Sequence, residues 1–198
     1  MAAGITYKIN PEVELEERYD VQTGIRRRGS VILDVSGLPV GTRIPSFAPV
    51  YADLKNRKCR LVPNMKVAEG YTSDSLKLKV AKGSIVPNGI FIGNGAKGAK
   101  VVSVDNSNAN YEELTLEAAF GVELKIGDVL FEATAVGGTK QKVIANSALY
   151  ENRVVEPGIN NVALLRTAAE IEPDKLVIPF SKSDREALKG WFQFNDNE

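Results

Sequence analysis

Leu76-Lys77-Leu78-Lys79-Val80 alternates apolar and basic residues without a break, and its reading decides the fold. Successive side chains of a strand point to opposite faces, so Leu76, Leu78 and Val80 share one face and the two lysines the other. The same short-strand pattern returns at residues 100–104, 113–117 and 128–132. Turn-forming clusters separate these runs: Pro87-Asn88-Gly89, the Gly-rich residues 93–98, the Asx-rich residues 105–110, and Ile126-Gly127-Asp128. Strands and turns at this spacing predict a small antiparallel β-barrel or sandwich over residues 66–135.

Upstream, the period is again two. Ser30-Val31-Ile32-Leu33-Asp34-Val35 is a strand closed by Ser36-Gly37, and the two prolines of Leu38-Pro39-Val40-Gly41-Thr42-Arg43-Ile44-Pro45 rule out a helix interior. Pro49-Val50-Tyr51-Ala52 and Cys59-Arg60-Leu61-Val62 are strands around a turn at residues 53–58. Downstream, residues 162–171 hold good helix formers, yet lie between Pro157-Gly158 and Pro173 in a chain of strands. Propensity says helix, context says buried strand; the choice stays open, with strand the favoured reading. Leu176-Val177-Ile178-Pro179-Phe180 reads as a further strand. Ser183-Asp184-Arg185-Glu186 fits a capping box, with Ser183 at the N-cap, and predicts one short helix over residues 184–190.

The expected fold is therefore mainly β, with short antiparallel strands and one short C-terminal helix. A barrel or sandwich of residues 66–135 is inserted in, or follows, a β-rich base of residues 25–65 plus 136–198. Residues 1–24 precede these as an acidic arm.

Composition narrows the chemistry. The chain has 198 residues, 25 Lys+Arg against 25 Asp+Glu, no histidine and one cysteine. Lack of histidine removes Ser-His-Asp and Cys-His pairs, HExxH metal sites and imidazole acid–base work. One cysteine makes no internal disulfide, zinc ribbon or iron–sulfur site, and Cys59, without a partner base, reads as an inert thiol. The N-terminus lacks a charged region followed by an apolar one, and no apolar run approaches the ~20 residues of a membrane helix. A cytoplasmic site of synthesis and no membrane partner are the expectations.

Charge is balanced overall but not along the chain. Residues 1–24 carry two basic and five acidic side chains, and residues 25–60 carry eight basic and two acidic. Arg26-Arg27-Arg28 opens the basic stretch and reads either as a charged strand edge or as a docking surface for an acidic partner. No aromatic platform is interleaved with these arginines, so nucleic acid is not an expected partner.

Two motifs imitate ligand loops. Gly93-Asn94-Gly95-Ala96-Lys97-Gly98 matches GxGxxG, but a strand, not a helix, follows it, so it reads as a flexible hairpin turn. Residues 105–110 resemble a calcium loop but lack its glycine, and Leu116 stands at the glutamate position. Glu112-Glu113 and Glu16-Glu17 are neighbours that a strand would turn to opposite faces. No catalytic, cofactor or metal residue is assigned, and a non-enzymatic protein is expected. Trp191, Phe192 and Phe194 form an aromatic cluster that either pins the C-terminus or contacts another subunit.

Arg28-Gly29-Ser30-Val31-Ile32, Ser36-Gly37-Leu38-Pro39-Val40-Gly41-Thr42-Arg43-Ile44-Pro45 and Pro49-Val50-Tyr51-Ala52-Asp53 together resemble tailed-phage head proteins. The class is that of auxiliary, decoration or head-fibre proteins, of the type found in phages of gut Bacteroidales. Val80-Ala81-Lys82-Gly83-Ser84, Ile126-Gly127-Asp128-Val129-Leu130 and Val154-Val155-Glu156-Pro157-Gly158 are similar to the small β domains of such proteins. The resemblance covers residues 25–180. It implies a structural role on the outer capsid surface, cementing major capsid subunits or anchoring a head fibre, with the major capsid protein and further copies of the chain, as a homotrimer, for partners. On that reading Arg26, Arg27, Arg28, Glu14 and Glu16 are the expected capsid contacts. Trp191, Phe192 and Phe194 are the expected inter-subunit contacts. A receptor- or glycan-binding adhesin is the alternative, and a carbohydrate-active enzyme using two carboxylates the third reading.

Overall fold

The structure is a computed structural model, and it describes residues 18–195. Among the described residues sixteen strands follow one another, with one α-helix before the last of them. They are β1 (Asp20–Arg26), β2 (Val31–Asp34), β3 (Arg43–Ile44), β4 (Pro49–Asp53), β5 (Lys58–Leu61), β6 (Asn64–Lys66), β7 (Lys77–Ala81) and β8 (Phe91–Gly93). Then come β9 (Gly98–Asp105), β10 (Tyr111–Leu116), β11 (Val129–Ala133), β12 (Ser147–Leu149), β13 (Arg153–Val154), β14 (Asn160–Val162) and β15 (Leu164–Ile171). A 3-10 turn at Pro173–Lys175, the helix α1 (Lys182–Leu188) and β16 (Phe192–Phe194) complete the order. The protein is mainly β, as the alternating runs predict.

Six strands drawn from the middle of the chain form one sheet in the order β6-β11-β8-β9-β10-β7. Its two end strands meet: Val67 bridges Val80, and Ala68 N–H donates to the Lys79 carbonyl at 2.9 Å. The sheet thus curls back on itself, which removes exposed strand edges. Inward-facing Leu78, Val80, Ile92, Val101, Leu114 and Leu130 are all fully buried inside it. Leu76 does not join them. It precedes β7 rather than lying in it, and is 51% exposed.

The other large sheet runs β1-β15-β12-β4-β5-β2-β14, with β16 also paired to β15. Most pairs are antiparallel, but β2–β5 and β15–β16 are parallel. One apolar cluster packs around Leu33, Val50, Cys59, Leu149 and Leu164, and a second around Phe47, Leu165, Phe180 and Phe192. A small ladder of β3 and β13 flanks them.

The choice left open at residues 162–171 falls to strand, the favoured reading, and two other expectations need correction. Residues 162–171 form strands, β14 and β15, broken at Ala163, so burial against β1, β2 and β12 overrides helix propensity. Residues 176–180 are not a strand. Leu176 N–H closes the 3-10 turn on the Pro173 carbonyl, Pro179 has no donor, and without a ladder Leu176 and Phe180 are buried in one apolar cluster and Ile178 in the other. The helix begins two residues early. Ser181 is the N-cap and Asp184 the reciprocal N3 partner, which turns Asp184 and Leu188 inward together at i,i+4.

Candidate functional site

At the end of β1 the chain passes from Arg26 through Arg27, Arg28 and Gly29 into β2. Arg27 N–H donates to the Leu164 carbonyl at 2.7 Å, which fixes this corner against β15. A groove of about 530 Å³ opens there. Arg26, Arg27 and Arg28 line it with Arg57 from the β4–β5 turn, Arg166 from β15, and Trp191 from the turn after α1. Ile25, Leu54, Val31, Leu164 and Gly29 complete the walls, and no carboxylate is among them.

Three of the five cations have a partner in the fold. The Arg57 guanidinium donates to the Ser30 carbonyl at 2.6 Å. Gly29 makes that approach possible, because a Cβ there would lie 2.4 Å from an Arg57 guanidinium nitrogen, and its φ of 77° suits glycine. Arg166 lies over the Trp191 ring at 5.3 Å, and Arg26 over Tyr150 at 5.9 Å. Arg27 is the half-buried one. Its Nε is buried without a hydrogen-bond partner, and burial, then the nearby charge of Arg166, holds its pKa below the usual arginine value. Guanidinium forks present paired N–H donors that match a carboxylate or phosphate, and Trp191, 49% exposed, adds an apolar wall.

Two surfaces that the sequence leaves separate, the arginine triplet and the C-terminal aromatics, therefore meet in one groove. The aromatics divide. Trp191 faces the groove, but Phe192 is buried, 5.7 Å from the Phe47 ring, and Phe194 is half-buried at 5.3 Å from Phe180. Glu14 and Glu16 lie outside the described residues. Arg57 and Arg166 are functional candidates that sequence reading misses, since only strand pairing brings them to the triplet.

The imitation ligand loops are explained by packing. Gly93 and Gly98 pair across the β8–β9 hairpin, and both lie against Gly138, whose carbonyl accepts from Gly95 N–H at 3.0 Å. The hairpin is as the sequence predicts, but it is pinned by a neighbouring backbone. In the Asx-rich loop, Lys82 Nζ donates to the Asn106 and Asn108 carbonyls at 2.6 and 2.9 Å, so an ammonium sits where a metal would. Glu112 points inward to Gly83 N–H while Glu113 pairs with Lys77 outside, on opposite faces. Among the described residues no three His, Cys, Asp or Glu side chains cluster to hold a metal.

Cys59 is buried, which pushes its thiol from 9.0 up to about 12. The folded protein should resist a thiol-specific disulfide reagent at pH 8 and react fully once unfolded in guanidinium. Rapid labelling of the native chain would contradict this burial. Because the unfolded thiol loses its proton first, stability should fall as pH rises from about 9 towards 12.

In comparisons with known proteins, a family model described as head fiber protein matches residues 2–193. No curated protein and no solved structure matches the chain. The family match takes in the acidic segment and reaches Trp191 and Phe192, though not Phe194, beyond the span of the sequence resemblance.

Proposed function

The chain belongs to the head fiber protein family of phages and is a structural protein of the phage head, and from that premise we propose that it is held on the outer surface of the capsid as a homotrimer. There it cements major capsid subunits or anchors a fibre. The observation that supports this reading is the groove: five guanidiniums and an indole converge on it with no carboxylate to neutralise them. Such a surface suits docking to acidic protein segments, where the charges steer encounter and fix register. The division into an inserted unit of residues 66–135 and a base carrying the groove is part of the proposal, with the base facing the shell.

Purified protein should co-sediment saturably with capsid shells that lack it, at a stoichiometry matching one class of icosahedral site. Replacing Arg26, Arg27 and Arg28 together by alanine should weaken that binding by about tenfold or more, and raised salt should mimic the change. Full-strength binding by the triple variant would remove the groove from the interface. No binding by the wild-type chain at high excess would favour the adhesin.

A further inference from the structure

We propose that the groove receives the acidic segment of residues 12–17 from a second copy of this chain, so that copies assemble by exchanging N-terminal arms. The inference rests on the family reading above but gives the groove another occupant: a neighbouring copy's arm takes the place proposed for the shell, and the triple-alanine variant then loses shell binding through loss of assembly.

Three observations converge. Arg27 Nε is a buried donor with no acceptor, in a pocket whose other charged groups are all guanidiniums. A carboxylate oxygen would satisfy it, and a buried donor left unmade costs free energy. The sequence itself carries a matching segment. In Glu12-Val13-Glu14-Leu15-Glu16-Glu17 acidic and apolar residues alternate, so an extended chain would align three carboxylates at ~7 Å intervals and turn Val13 and Leu15 the other way. The groove offers the complement: Arg26 and Arg28, two residues apart, with Ile25, Leu54 and Trp191 as apolar wall. Finally, β1 is an end strand paired only with β15 among the described residues, so an incoming extended segment has a free edge beside it.

The geometry favours another copy over the same chain. Residue 17 leads directly into Arg18, which is tied by its guanidinium to Ser46 at 2.8 and 3.0 Å and by its carbonyl to Glu172 N–H at 2.9 Å. The groove lies at the other end of β1. The chain bends at Arg18 and Tyr19, but Glu16 and Glu17 of the same chain stay beside the fixed Arg18, a full strand's length from the groove, and the six residues 12–17 span at most ~20 Å. Arms passed from copy to copy close into a ring, or into a reciprocal pair.

The test is the mass of the full-length chain in solution by light scattering and native mass spectrometry, across concentration. The variants are E12Q/E14Q/E16Q/E17Q, R26A/R28A, and the reversals E14R/E16R and R26E/R28E, each checked for an unchanged thermal melt. Wild type should be oligomeric, and each single set should raise the apparent dissociation constant by about tenfold or more. Combining both reversals in one chain should restore assembly. A monomeric wild type, or assembly indifferent to the arm's charges, would overturn the inference. So would variants that lose shell binding with mass unchanged, which would give the groove to the shell and leave the functional reading standing. Loss of neither property would sink both. Saturable binding of short duplex DNA, abolished by R26A/R28A, would assign the groove to phosphates instead.

Discussion

Replacing Asp184 by alanine should lower stability by about 4 kcal/mol and the melting temperature by roughly 10 °C. The carboxylate is fully buried, and the partners it has among the described residues are neutral donors. Oδ1 accepts from Ala145 N–H at 2.6 Å and Gln141 Nε2 at 3.0 Å. Oδ2 accepts from Asn64 Nδ2 at 2.7 Å and Ser181 N–H at 3.0 Å. These donors come from the start of β6, the connection between β11 and β12, and the cap of α1, so one side chain joins the two large sheets to the helix. Alanine leaves the Ala145 and Ser181 N–H groups without an acceptor and takes one acceptor from each of the Asn64 and Gln141 amides, which keep the Pro179 and Val143 carbonyls; an unmet buried donor costs more than its bond contributes when made. Asparagine is nearly isosteric but turns an NH2 towards two N–H groups in either orientation. It should recover no more than half of the loss. A D184A melt within a degree or two of wild type would show that the carboxylate is not the tie between these elements.

Gly138→Ala should be comparably damaging, by about 3 kcal/mol or enough to prevent soluble expression. A Cβ at that position would lie 2.1 Å from the Lys97 carbonyl oxygen, and φ is 61°. The obstructing atoms are backbone of the β8–β9 hairpin, with no flexible side chain to move aside. Gly93→Ala meets the same contact from the other side, 2.4 Å from Gly138 Cα. Gly137, one residue away, has open space around it, and Gly137→Ala should be near neutral. Urea midpoints for the Gly137 and Gly138 variants make the comparison. Equal midpoints would mean that the loop after β11 can lift from the hairpin without loss.

These two sites also mark what the sequence can and cannot disclose. The strands of the middle sheet are legible because one side of each faces a core, so that Leu78 and Val80 alternate with lysines. The GxGxxG pattern is equally visible, and its context rightly directs it to a hairpin. Its reason lies with Gly138, some forty residues later, where no local pattern points. Residues 162–171 mislead by propensity, since Ala, Leu and Glu suit a helix until neighbouring strands bury them. The apolar run at residues 176–180 misleads in the opposite sense. It is buried as a strand would be, but Pro179 and the 3-10 turn deny it a ladder. In the groove, Arg26, Arg27 and Arg28 are legible as a run, whereas Arg57 and Arg166 are single charges in a turn and a strand. Trp191 is visible as an aromatic, but only the fold separates it from the buried Phe192.

The order β1-β15-β12-β4-β5-β2-β14 has a consequence for synthesis. A ribosome delivers every strand of the six-stranded sheet by residue 133, so that sheet has all its strands while the chain is still growing. The eight-stranded sheet interleaves early strands with late ones. Until β12, β14 and β15 emerge, β4 and β2 have open flanks, an invitation to pair with the wrong chain. The groove is completed later still, because its Trp191 follows every one of these strands. A chain terminated between residues 134 and 163 therefore carries every strand of the middle sheet but lacks Leu164, Arg166 and Trp191, and with them a completed groove.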